Sequence, residues 1–73
     1  MILELIRYLV RAIVTRPSEV KVEYIHSGGL DLLFLEVAEP DRKSLSERDK
    51  EALALVVERI GKRLGRDVIV DWK

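Results

Sequence analysis

The chain contains no cysteine, no asparagine and no glutamine, and its one methionine is Met1. Without cysteine there is no disulfide, no thiolate nucleophile and no cysteine-based zinc site. There is no excess charge of either sign, since thirteen Lys and Arg residues balance thirteen Asp and Glu. No global field therefore favours nucleic acid or an acidic partner. Long apolar runs are missing too. Glu4, Arg7 and Arg11 interrupt the apolar N-terminal stretch, which excludes both a membrane span and a signal peptide there. With no targeting signal, the cytoplasm is the expected location. No metal-ligand or catalytic motif occurs, and Gly28-Gly29 opens no helix that could cradle a phosphate. These absences predict a non-catalytic protein without cofactor or small-molecule substrate. Dense charge combined with missing thermolabile residues is the composition of a thermophile's protein.

What is present is enough for one domain, spanning 1–73 and close to the size below which a core needs help. Its centre is Leu30-Asp31-Leu32-Leu33-Phe34-Leu35-Glu36-Val37, six of whose eight residues are large and apolar. They fall on both faces of a pleated strand, Leu33, Leu35 and Val37 on one and Leu30, Leu32 and Phe34 on the other. A strand apolar on both faces belongs in the middle of a sheet.

Around this strand the pattern is regular. Ile2 to Val14 reads as a helix, with Ile2, Leu5, Ile6, Leu9, Val10 and Ile13 inward and Glu4, Arg7, Tyr8 and Arg11 opposite. Pro17 stops it. Val20 to Ile25 alternates apolar and charged residues, so Val20, Val22 and Tyr24 face the core of a half-exposed strand. His26-Ser27-Gly28-Gly29 reads as the hairpin turn. Glu39 to Lys43 leaves the sheet as about one helical turn. Ser44 with Glu47, or Ser46 with Asp49, has capping-box spacing for a long helix running to about Leu64. Its expected inner stripe is Leu53, Val56, Val57, Ile60 and Leu64, with Gly65 as C-terminal cap and Gly61 marking close packing on the sheet. Asp67 to Trp72 is a last strand, parallel to the central one because a helix precedes it. The expected fold is α+β, with a three-stranded mixed sheet ordered first, central, last and two helices on one face.

Candidate sites are few. His26 lies near Asp31 if the hairpin register allows, and a histidine–carboxylate pair could act as a general base, but no nucleophile accompanies it and a solvated turn histidine is the simpler reading. Glu39 and Asp41 supply two carboxylates, short of a hard-cation site. Arg59, Lys62, Arg63 and Arg66 gather at the end of the long helix, where they complement its dipole or form a phosphate-binding patch. Leu55 projects away from the buried stripe. Leu32 and Phe34, with Ile25 and Ile69, point to the sheet face that no helix covers. Lys21, Glu23, Glu36, Asp67 and Asp71 rim that face, which marks Leu32, Phe34 and Leu55 as interface candidates for a homodimer or another protein.

The stretches Leu5-Ile6-Arg7-Tyr8-Leu9-Val10-Arg11-Ala12-Ile13-Val14, Pro17 and Glu19-Val20-Lys21-Val22 resemble the start of the small bacterial single-KH-domain RNA-binding proteins. Leu35-Glu36-Val37-Ala38 and Gly65-Arg66 are similar to later parts of the same family. The resemblance implies a KH-like α-β-β-α-β fold with a shortened extra helix before the long one. It also implies RNA as a partner and a second KH-containing protein as another. In that family a Gly-x-x-Gly loop lets backbone N–H groups approach RNA phosphates. Here the motif aligns with Ser46-Glu47-Arg48-Asp49, in which both glycines are absent and two carboxylates, Glu47 and Asp49, stand where a phosphate should sit. No site residue is therefore carried over from it.

Overall fold

The computed structural model describes residues 2–73. Helix α1 spans Ile2–Ile13 and a single 3-10 turn, Pro17–Glu19, leads into strand β1, Lys21–Ser27. Strand β2 spans Leu30–Glu36, followed by the short helix α2, Glu39–Ser44. The long helix α3 covers Glu47–Arg63 and strand β3 covers Asp67–Trp72. The protein is α+β, its sheet ordered β1-β2-β3 with β1 antiparallel and β3 parallel to β2.

Alternation decides the two faces as expected. Leu33 and Leu35 are fully buried beneath the helices, where Ile6, Val10 and Val57 meet them. Val68 and Val70 lie beside them on β3, directly opposite Asp31 and Leu33. Leu30, Leu32 and Phe34 face the other way, in register with Ser27, Ile25 and Glu23 of β1.

The hairpin is tighter than the sequence suggested. His26 and Ser27 belong to β1, and only Gly28 and Gly29 turn, with φ of 56° and 83°. Two successive left-handed residues make a turn whose twist matches that of the strands, and glycine adopts that conformation without a Cβ penalty. Pairing therefore runs to Ser27↔Leu30 and sets His26 directly across from Asp31.

Ser46 is the N-cap of α3, its Oγ accepting from Asp49 N–H at 3.0 Å. Ser44 instead donates to the Asp41 carbonyl at 3.1 Å. At the other end Gly65 (φ 76°) closes the helix, while Arg66 N–H donates to the Gly61 carbonyl at 2.9 Å and Gly65 N–H to that of Lys62 at 3.0 Å. This is the paired carbonyl satisfaction of a Schellman ending.

The inner stripe of α3 is rotated from the expected one. Val57 and Gly61 are buried and Ala54 half-buried, whereas Val56 and Leu64 are about half exposed. Gly61 sets the rotation, because it lets the helix backbone settle onto Val68. Ile13 of α1 is likewise half exposed. Among the described residues, no helix is long and apolar enough to cross a membrane.

Candidate functional site

Three places collect polar side chains: the junction of α2 with α3, the turn end of the hairpin, and the basic end of α3. The junction is built first by α2. Pro40 sits in its first turn, where a missing N–H costs nothing. Asp41, with 2% of its surface accessible, accepts from Thr15 N–H at 2.7 Å, Thr15 Oγ1 at 2.8 Å and Arg16 N–H at 3.1 Å. The Thr15 and Arg16 donors hold its carboxyl below the ordinary range, Thr15 N–H contributing most. Asp41 thus ties α2 to the loop after α1. Glu39 pairs with Arg42 at 3.1 Å, so the two carboxylates named as cation candidates have separate partners. Among the described residues, no group of three or more His, Asp or Glu side chains could hold a metal ion.

Only Leu45 and Ser46 separate α2 from α3, and Glu47, Arg48 and Asp49 form the first helical turn. Beside this junction runs an open groove of about 500 Å³ between α3 and the edge strand β3. Ala54, Val70 and Trp72 line it with Arg42, Lys50 and Lys73, and with Glu47, Glu51 and Asp71. Three cations and three carboxylates balance there. Trp72 Nε1 donates to the Lys50 carbonyl at 3.2 Å, and Val70 N–H donates to Glu58 Oε2 at 3.0 Å. These bonds clamp the helix to the sheet edge and occupy part of an edge that would otherwise recruit another strand.

The second place is a closed polar cluster. Asp31, 2% accessible, accepts from Arg66 Nε at 2.5 Å and from Tyr24 Oη–H at 2.6 Å, while His26 Nδ1 lies 2.6 Å from it. Arg66 also donates to the Tyr24 hydroxyl oxygen at 3.0 Å. The Arg66 guanidinium, then Tyr24 and His26, hold the Asp31 carboxyl far below the carboxylate range despite burial. The same bond to Asp31 raises the Tyr24 hydroxyl. The cluster joins β1, β2 and the turn before β3, so its first effect is to lock the three strands at one end. The histidine–aspartate pair foreseen from the register does form, and the His26 side chain stays 58% exposed. Tyr24 and Arg66 were missed as its members. The available signal was Asp31 itself, a carboxylate on the same strand face as Leu33 and Leu35, which demands donors.

The third place separates the four basic candidates. Arg59, Lys62 and Arg63 are exposed on the last turns of α3. Arg66 does not join them, because Asp31 draws it to the sheet. The three lie toward the opposite end of α3 from the groove at Glu47 and Lys50. The interface candidates also divide. Leu32 and Phe34 share the outer sheet face, while Leu55, half exposed, belongs to the helical layer. Phe34 is partly roofed by Lys73, whose Nζ stands 6.0 Å from the ring centroid and pairs with Glu23 across the sheet at 3.0 Å.

Comparison with protein-family models, curated proteins and solved structures finds no match for this chain.

Proposed function

We propose that this chain is a non-catalytic, KH-like domain that associates with single-stranded RNA. One observation carries the reading: α2, the first turns of α3 and the parallel edge strand β3 border an open groove beside the two-residue junction of the helices. The start of α3 beside this groove is the stretch that the resemblance aligns with the phosphate-contacting loop. The groove offers Trp72 as an aromatic face for a base and Lys50 and Arg42 for phosphates.

The junction itself cannot grip a phosphate through its backbone. Side chains stand at all four positions of Ser46–Asp49, and Glu47 and Asp49 repel an anion at the helix N-terminus. Affinity through this groove is accordingly weak, with a shallow salt dependence set by few phosphate contacts.

The test uses the single tryptophan. Single-stranded RNA should change Trp72 fluorescence, and Ser46→Gly with Asp49→Gly should tighten binding while lowering stability by roughly 1 kcal/mol, largely from glycine entering the helix. Unaltered fluorescence with both proteins would sink the reading.

A second reading, a protein-interaction module that has left RNA behind, rests on the outer sheet face. Ile25, Leu32 and Ile69 form one row across all three strands, with Ile25 41% and Ile69 46% exposed. Three strands about 4.8 Å apart, two of seven residues and one of six, present only about 300 Å². A standard stable complex buries about 800 Å² per partner. A dimer through this face therefore needs further contact from outside it.

A further inference from the structure

We propose that the groove between α1 and α3 docks an acidic amphipathic helix of a partner protein. Its floor is aliphatic, formed by Leu9 and Ile13 of α1, Leu45 at the junction, and Leu53 and Val56 of α3, in a depression of about 490 Å³. Ile13 and Val56 are each 49% exposed although both were patterned for burial. The rotation of α3 that seats Gly61 on the sheet turns Val56 out of the core and into this groove. Two helices side by side leave a channel between their ridges, which is the shape that receives a third helix.

The rim decides the partner's charge. Arg59 and Arg63 continue the line of Ala52 and Val56 along α3, and Arg48 precedes Ala52 by one turn. All three arginines are exposed, and none takes part in an ion pair among the described residues. Asp49 is the single carboxylate in the lining. A partner with acidic flanks meets these arginines, and one basic residue placed against Asp49 sets its direction. A second copy of this chain would set the same arginine rim against itself, a like-charge arrangement that disfavours self-association here. The floor offers aliphatic side chains and no aromatic surface for stacking, which disfavours RNA at this groove. The docking site is independent of the α3–β3 groove proposed for RNA.

The probe is a synthetic helical peptide with leucine at i, i+3, i+4 and i+7 and glutamate at its flanking positions, titrated into the labelled protein by NMR. Saturable shifts should centre on Leu9, Ile13, Leu53 and Val56. A lysine-flanked version should bind about tenfold more weakly. Val56→Lys, at a half-exposed position that keeps the rim basic, should abolish binding. Arg59→Glu with Arg63→Glu should reverse the preference between the two peptides, a swap that misfolding cannot produce. The proposal is overturned by equal affinity for both peptides, by shifts on the sheet face instead, or by no saturation at about 1 mM peptide. Concentration-dependent broadening of the groove residues without peptide would assign the groove to a second copy. Tighter binding of single-stranded RNA at those residues would assign it to nucleic acid, and either result overturns it.

Discussion

Gly61→Ala should destabilise this protein although alanine is the better helix former. Gly61 is buried in the last turn of α3. A Cβ there would lie 2.5 Å from Val68 Cγ2, 3.1 Å from Val68 Cβ and 3.6 Å from the Arg66 carbonyl oxygen. Turning the valine side chain moves the methyl but not its Cβ, which β3 fixes. Val68 is itself 7% exposed and has little room to turn. Helix propensity favours alanine by about 1 kcal/mol, whereas overpacking a tight contact costs about 1–3 kcal/mol. The net expectation is a loss of about 1 kcal/mol, or about 4–8 °C in Tm for a domain of this size. Urea denaturation followed by Trp72 fluorescence measures it. Val68→Ala alone should cost about 1.5–2 kcal/mol of lost burial. In that background Gly61→Ala should become nearly neutral, because the 2.5 Å contact is gone and the 3.1 Å one remains. A single Gly61→Ala that stabilises, or a double variant with purely additive losses, would refute the close approach of α3 to β3.

Ser46→Ala removes the acceptor for Asp49 N–H and should lower stability by about 1 kcal/mol in the same assay. Acid should destabilise the fold. Asp31 and Asp41 both sit below their ordinary value of 3.8, so the folded state binds those protons less readily than the unfolded chain. Their stabilisation is present above about pH 4 and is lost as pH falls through the folded-state values. Urea midpoints measured across that range should fall with acidification, and Asp31→Asn should flatten the fall while lowering stability at neutral pH. Trp72→Phe keeps an aromatic group but removes the indole N–H bonded to the Lys50 carbonyl and part of the packed surface, which predicts a loss of at least about 1 kcal/mol in thermal unfolding monitored by circular dichroism.

Much of the fold could be read directly from the chain. Hydrophobic period separates helices from strands, and the two-sided apolar pattern of Leu30–Val37 places β2 at the centre. The capping signals at Ser46 and Gly65 mark both ends of α3, because a helix end is satisfied by groups within a few residues of it. The hairpin turn was mislocated by two residues, since both His26 and Ser27 are compatible with strand or turn until the glycine φ angles are known.

The candidate sites were less legible. Spacing along α3 placed Val56 and Leu64 inward, yet tight packing at Gly61 rotates the helix, and spacing carries no information about which of several apolar stripes meets the sheet. Arg66 follows Arg63 in sequence and joins Asp31 in space, as the buried carboxylate draws the nearest guanidinium. Leu55 and Phe34 are both apolar surface residues, but they lie on different layers and cannot serve one interface. Periodicity and caps are local, so the amino-acid sequence determines the elements and their order by itself. Helix rotation, partner choice for buried charges and the grouping of surface residues depend on contacts between distant elements, and only the tertiary structure decides them.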